Sequence, residues 1–150
     1  MKNTFIVLSF TALLCFGCKQ SGINKKNVDP FYSQDNVFDR LNIPLIKPYK
    51  LIKVDDTEWR LELQTTSLLT LSIHNVQGVD TAKGRIFIYS KGGTEVKNVQ
   101  YNELWFVITP DSLLEQSFES HEAFKDALKK ANISKANLRN PDIFYKEVHK

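Results

Sequence analysis

The regular alternation of apolar and polar residues between positions 58 and 64 is the feature that most limits the fold of this chain. Trp59, Leu61 and Leu63 occupy one face of this segment, and charged or polar residues stand between them. Such alternation is typical of a strand with one buried face and one face in water, which occurs mainly in antiparallel sheets. The chain is therefore expected to build antiparallel sheet here.

Other segments extend this pattern along the chain. We predict further strands at residues 45–54, 69–74, 85–90 and 104–108, a loop at 75–84 and a hairpin turn at 91–94. Pro48 confines the first of these strands to an edge or a bulge. Residues 104–108 are apolar on both faces, which predicts a central strand covered on both sides.

One helix is predicted near the end of the chain. Ser120 is a suitable N-cap residue and Asn132 a suitable stop. Between them, apolar residues recur at helical spacing: Phe124, Ala127, Leu128 and Ala131. Residues 137–150 are read as a final short strand or helix. The expected fold class is α+β, an antiparallel β-meander of about four to six strands with one C-terminal helix packed on a face.

The first residues of the chain have the pattern of an export signal. Lys2 gives a positive start, and residues 4–14 are apolar apart from three hydroxyl side chains. Polar residues begin at Lys19, so the apolar run is shorter than the ~20 residues that a membrane-spanning helix needs. We therefore predict a signal peptide at 1–17, a flexible tether at 18–36 and a single globular domain at 37–150.

Both cysteines of the chain, Cys15 and Cys18, lie at the end of this leader. The pair Gly17-Cys18 resembles the lipobox of bacterial lipoproteins, in which a small residue precedes the lipid-bearing cysteine. That family prefers Leu three residues before this cysteine and a small residue two before, where this chain has Cys15 and Phe16. The resemblance implies cleavage between Gly17 and Cys18 and a diacylglyceryl group, with fatty acids such as palmitate, on Cys18.

Two other interpretations of the cysteines stay open. Ordinary signal cleavage at the same bond would leave a free thiol at the new N-terminus. The C-x-x-C spacing also occurs in redox and zinc sites, but no second pair follows it here. In the lipoprotein interpretation the thiol of Cys18 is the site of lipid attachment. This interpretation places the protein at the cell envelope, on the inner or outer membrane and facing the periplasm or the outside.

The sequence holds no recognisable catalytic, cofactor or metal motif. Three histidines, His74, His121 and His149, are not at ligand spacing, so no metal and no cofactor are expected. The net charge of +3 is too small to indicate a nucleic-acid-binding protein, which usually carries a basic stripe. If the protein is an enzyme, its site is assembled from residues distant in sequence, and Glu58, Glu62 and His74 are the first suspects.

Several polar and aromatic groups have both a structural and a functional interpretation. Lys47, Lys50 and Lys53 are read as edge lysines that prevent strand pairing, with an anionic ligand site as the alternative. Asp55 and Asp56 are interpreted as residues of a turn rather than as a pair of carboxylates that shares a proton or a metal. Trp59 and Trp105 are read as core residues rather than a sugar-binding surface.

Two functions are compatible with these observations, and the observations favour the first. The first is a non-enzymatic module, anchored at the cell envelope by its lipid, that binds an unknown protein partner, for example as an immunity or inhibitor protein. The alternative is a small envelope enzyme. A flat or apolar exposed patch favours the first, and a cleft holding a titratable residue with a perturbed pKa favours the second.

Overall fold

The computed structural model describes residues 29–32 and 41–148. The predicted signal peptide, Gly17, Cys18 and most of the predicted tether lie outside the described residues, as does His149. The described chain forms mostly antiparallel sheet with two helices.

Eight strands form two four-stranded antiparallel meanders. The first sheet has the order β1 (Asn42–Pro44), β2 (Lys50–Lys53), β3 (Trp59–Glu62) and β4 (Ser72–Ile73). The second sheet has the order β5 (Val76–Ala82), β6 (Arg85–Val96), β7 (Val99–Thr109) and β8 (Leu114–Phe118). Within each sheet every strand therefore pairs with its neighbours in sequence, as in a meander, but the strands are more numerous than expected and form two sheets.

The two helices are α1 (His121–Lys130) and α2 (Pro141–Val148). The hydroxyl of Ser120 accepts a hydrogen bond from the backbone N–H of Ala123 at 3.2 Å, which confirms the predicted N-cap. Asn132 has a φ of +55° just after α1, a conformation that ends a helix and that asparagine tolerates. The predicted helix is thus confirmed, and α2 decides the final segment in favour of helix.

The main core lies between the two sheets. Fully buried side chains from the inner faces of both sheets form it, together with Tyr49 from the turn before β2: Ile43, Leu51, Leu61, Ile73, Val79, Ile86, Ile88, Phe106 and Ile108. Phe144 of α2 packs into the same cluster. The burial of Leu61, beside buried Trp59 and Leu63, confirms the alternation that predicted β3.

A second core lies between the other face of the second sheet and α1. Phe87 and Val107 point to this side and pack with Phe124 and Leu128 of the helix. Phe106, next to Val107, points into the first core. The central strand predicted at 104–108 is therefore confirmed, with both faces covered.

The strand predicted at 45–54 is wrong in its first half. Residues 45–49 form the turn between β1 and β2, where the N–H of Tyr49 donates to the carbonyl of Ile46 at 2.9 Å. The Lys47–Pro48 peptide bond in this turn is cis. Pro48 cannot donate a ladder hydrogen bond, so its place is a turn between strands rather than the interior of one.

The prediction for residues 69–84 is also largely wrong. The alternation at 69–74 predicts that Leu69 and Leu71 lie on the buried face of a strand, but their exposed fractions are 59% and 75%. Only Ser72–Ile73 pairs with β3, while the predicted loop at 75–84 contains β5. Gly78 suggested a loop, yet it lies in β5 beside a register shift and approaches Leu138 closely.

The hairpin turn predicted at 91–94 lies inside β6 instead. Gly92 and Gly93 have φ values of +106° and +95° and fall in the register shift between Lys91 and Thr94, so they bend the strand without reversing it. The reversal comes at Lys97 and Asn98, both with positive φ, between the paired residues Val96 and Val99.

Candidate functional site

A chain of three polar side chains crosses the outer face of the first sheet. Ser72 Oγ lies 2.9 Å from Nε2 of His74, and Nδ1 of the same ring lies 2.9 Å from Oε1 of Glu58. When Nδ1 carries the proton and donates to Glu58, Nε2 accepts from the serine hydroxyl. This order of groups is the one by which a histidine activates a serine nucleophile.

Glu62, the third residue suspected from the sequence, stands beside this chain. Its Cα pairs with that of Ser72 across the two strands, and its carboxylate lies 3.8 Å from the guanidinium of Arg60. The imidazole of His74 is 42% exposed and the side chain of Glu58 is 24% exposed. The candidate residues Glu58, Glu62 and His74 are thus neighbours, and they lie on an open surface rather than in a deep cleft.

Ser72 was not singled out from the sequence, although one signal pointed to it. It stands two residues before His74 and so shares its face of the strand. The missing information was the register that brings Glu58, sixteen residues earlier, to the other side of the imidazole.

A groove of about 490 Å³ runs between β8 and α1. Its walls include Leu114, Gln116 and Phe118 from β8. Its charged groups come from β6 and α1: Arg85, Asp126 and Lys130. The groove thus combines an apolar wall with both signs of charge.

Three alanines explain why this groove exists. Ala123, Ala127 and Ala131 are spaced four residues apart, lie on one side of α1 and line the groove. The sequence assigned Ala127 and Ala131 to the buried stripe of the helix, but both are only half-buried. The bulky residues of that stripe, Phe124 and Leu128, fill the core, and the methyl side chains leave space beside β8.

A buried carboxylate joins the two sheets next to the start of β8. Glu115 is 4% exposed and accepts hydrogen bonds from the Tyr49 hydroxyl at 2.8 Å, the Gln64 N–H at 2.8 Å and the Thr65 hydroxyl at 2.5 Å. Burial, and then the hydrogen bond to Glu115, raise the pKa of Tyr49 above its usual range. The sequence carried no signal for this junction, because its members come from three separate segments.

An exposed apolar surface, which we call the leucine rim, consists of Leu69, Leu71 and Val99. Their exposed fractions are 59%, 75% and 49%. The rim is held together by a hydrogen bond from the N–H of Lys97 to the carbonyl of Leu68 at 2.8 Å. A shallow pocket between the two segments is lined by Leu69, Leu71 and Asn98 among others.

The three candidate lysines do not form one anion site. The ammonium groups of Lys47 and Lys50 lie 5.9 and 4.8 Å from the ring centre of Phe31. Lys53, at the other end of β2, lies 3.0 Å from Oδ1 of Asp142. The aromatic ring and the carboxylate hold the cations at separate places on the first sheet.

The turn and core interpretations are partly confirmed. Asp55 Oδ1 accepts from the N–H groups of Thr57 and Glu58, both at 2.8 Å, as a turn residue does. Trp59 is buried, as predicted. Trp105 is only half-buried; it lies on the α1 side of the second sheet and stacks on the imidazole of His121 with ring centres 5.7 Å apart.

Within residues 29–32 and 41–148, no three or more His, Cys, Asp or Glu side chains are grouped closely enough to hold a metal ion. In the same part of the chain, neither helix has the length and hydropathy needed to cross a bilayer. Comparison of the whole chain with protein-family models, curated proteins and solved structures gives no match.

Proposed function

We propose that the protein is an exported lipoprotein, held at the membrane through a lipid on Cys18, whose folded domain binds a protein partner. The leader supports the first half of this proposal: a positive start, an apolar run and the Gly17-Cys18 pair. Several acyl chains on one cysteine make a stable anchor, whereas a single chain binds only marginally.

The groove between β8 and α1 is the observation that carries the second half. β8 is the last strand of its sheet and, among the described residues, pairs only with β7. An edge strand presents backbone N–H and C=O groups that an extended peptide can pair with. The apolar groove beside β8 offers room for alternate side chains of such a peptide.

The proposed ligand is therefore an extended segment of a partner protein. Backbone pairing along β8 would supply affinity, and the groove would select the inserted side chains. Arg85 and Lys130 favour an acidic side chain in the segment, and Asp126 favours a basic one beside it. Leu113 and Leu114, which are 46% and 49% exposed, extend the apolar contact at the start of β8.

Site-specific photo-crosslinking in the producing cells tests this assignment. A photoreactive amino acid is placed at Gln116, which is exposed and lines the groove, or at the control position Glu95, which is exposed on β6 outside it. The proposal expects one discrete crosslinked product from position 116 and none from position 95. The same product should disappear with Ala127→Glu, which fills the groove, and persist with Lys125→Glu on the exposed side of α1.

Two results would overturn the assignment. Equal crosslinking from both positions would show contact without a site. A product that survives Ala127→Glu, in a variant whose thermal unfolding matches that of wild type, would show that the groove is not used.

A second candidate function, a serine hydrolase, rests on the Ser72–His74–Glu58 chain. In such an enzyme Ser72 Oγ attacks an acyl carbonyl, His74 takes the hydroxyl proton and later gives it to the leaving group, and Glu58 orients the imidazole. A fluorophosphonate probe, which reacts with activated serines, tests this candidate. It expects labelling that is lost with Ser72→Ala or His74→Gln and retained with Ser67→Ala. An absence of labelling on the folded wild-type protein rejects it.

A further inference from the structure

We propose that the leucine rim rests in the headgroup region of the membrane to which the protein is anchored. This inference depends on the proposed lipid on Cys18 and adds the orientation of the domain on the bilayer. The occupant of the rim is a lipid surface that contains anionic headgroups. Three features support it: where the anchored chain joins the domain, the apolar character of the rim, and the charges around it.

The chain enters the described domain at the turn between β1 and β2. Asp29 forms an ion pair with Lys47 in this turn, with 2.6 Å between Oδ2 and Nζ. Phe31, two residues later, lies under the ammonium groups of Lys47 and Lys50. Residues 29–32, which lie within the predicted tether, are therefore fixed to one end of the first sheet.

The leucine rim lies at the same end of that sheet. The antiparallel register pairs Leu51 with Leu61 and Glu62 with Ser72, so the turn at 45–49 and the loop at 63–71 leave the sheet on the same side. The carboxylate of Glu115 links the two segments, because it accepts hydrogen bonds from both Tyr49 and Thr65. The hydrogen bond between Leu68 and Lys97 then joins the β6–β7 turn to this end.

The length of the chain between Cys18 and Asp29 limits how far this end of the first sheet can lie from the membrane. Asp29 is eleven residues from Cys18 (29 − 18 = 11). A tether of that length, with the flexibility of a glycine- and serine-rich linker, has a typical end-to-end distance of roughly 17–20 Å, which is shorter than the diameter of a domain whose radius of gyration is about 13 Å. The end of the domain that carries Asp29 is therefore expected to lie closer to the bilayer than the opposite end of the domain.

The chemistry of this end suits a lipid interface. Leu69 and Leu71 are more than half exposed, and Tyr32 beside Phe31 is 46% exposed and carries an amphipathic ring of the kind found at membrane interfaces. Lys97 is exposed next to the rim, and three further lysines, Lys19, Lys25 and Lys26, stand between Cys18 and Asp29. Cations close to an anionic leaflet are attracted to its surface.

A polarity-sensitive fluorophore tests the orientation. The lipidated full chain carrying Leu71→Cys is labelled on that thiol and reconstituted into phosphatidylethanolamine–phosphatidylglycerol vesicles. The control is Ile143→Cys, which is 54% exposed on α2. It lies at the opposite end of the first sheet, because its neighbour Asp142 binds Lys53 and Trp59. Once Cys18 is acylated as proposed, the introduced cysteine is the only free thiol of the mature protein.

The proposal expects a blue shift, a several-fold rise in emission and protection from an aqueous quencher at position 71, with position 143 unchanged. A lipidated protein whose label at position 71 stays in water, or shifts no more than the label at 143, overturns the orientation and leaves the anchor standing. A label at 71 that shifts only when envelope proteins are present overturns it in favour of a protein contact. A mature protein with a free thiol on Cys18 overturns the anchor, and the orientation with it.

Discussion

The hydroxyl of Tyr49 donates a 2.8 Å hydrogen bond to the carboxylate of Glu115, and this contact joins the two sheets of the molecule. Tyr49 comes from the turn between β1 and β2 and is fully buried, while Glu115 comes from β8 and is 4% exposed. A buried carboxylate is tolerated only where donors replace its lost water, and here a phenol, a backbone N–H and a second hydroxyl do so. The sheets are therefore held in a defined relation by a polar contact as well as by apolar packing.

Removal of this carboxylate is expected to destabilise the protein strongly. Glu115→Ala removes the acceptor of the buried Tyr49 hydroxyl and of two partly buried donors, and a loss of about 2–4 kcal/mol in the free energy of unfolding follows. Tyr49→Phe removes one hydrogen bond and should cost about 1–2 kcal/mol. Urea unfolding of both variants and of the double variant gives the coupling between the residues. Additive losses would contradict a direct contact.

The approach of Gly78 to Leu138 predicts a steric effect. A Cβ on residue 78 would lie 3.0 Å from Cβ of Leu138 and 3.4 Å from Cβ of Tyr89. Gly78→Ala should therefore lower stability by about 1–2 kcal/mol, and this loss should be smaller in a Leu138→Gly background, which lacks the Cβ that the new methyl group would meet. Gly84→Ala is the control: nothing lies within 4 Å of its Cβ, but its φ of +69° strains alanine, and the Leu138→Gly background should not reduce that cost.

The β6–β7 turn offers a stabilising change. Lys97 has a φ of +53°, which costs a residue with a Cβ about 1 kcal/mol or more. Lys97→Gly removes this strain and keeps the backbone N–H that donates to Leu68. Thermal unfolding should show a gain of about 0.5–1 kcal/mol. A loss of stability would mean that residue 97 does not adopt this conformation.

Asp142 should contribute to the acid sensitivity of the fold. Burial raises the pKa of this carboxyl, but hydrogen bonds from Lys53 and Trp59 and the nearby lysine charges outweigh burial and hold the pKa below the usual 3.8. A carboxyl with a lowered pKa in the folded state stabilises the fold above its usual pKa, and this contribution is lost as pH falls through the lowered value.

The measurement is urea unfolding of wild type and Asp142→Asn between pH 7 and pH 2.5. At pH 7 the variant should be less stable by about 0.5–1 kcal/mol, a modest figure because the side chain is 48% exposed. The difference should shrink below pH 4, where wild type loses its advantage. Asp56→Asn, an exposed change in the neighbouring turn, serves as the control. A difference that is constant with pH would argue against the ion pair with Lys53.

The elements that the sequence predicted well are those fixed by local periodicity. The alternation around Leu61 and the doubly apolar strand around Phe106 bury the faces that their patterns indicate, and the capped helix after Ser120 buries Phe124 and Leu128 of its apolar stripe. The errors have physical reasons as well. Leu69 and Leu71 follow the period of a buried strand, yet they lie at the edge of the fold, where the part of the chain that the structure describes leaves them exposed.

The candidate sites depend on tertiary contacts that no local pattern carries. Glu58 and His74 were suspected separately, but only the pairing of β3 with β4 brings them to 2.9 Å. The groove depends on the position of α1 relative to β8, which makes alanines at 123 and 127 line a cavity rather than a core. Gly92 and Gly93 suggested a turn because glycine signals positive φ, which a bulge also requires.

The anchor on Cys18 is tested most directly by the intact mass of the protein extracted from the membrane fraction, with fatty-acid labelling of wild type and Cys18→Ala. The account predicts a wild-type chain that begins at Cys18 and carries acyl chains, and a variant that loses both the label and the membrane attachment. A wild-type protein that is unlabelled and recovered away from the membrane, with a free thiol at its N-terminus, would contradict it.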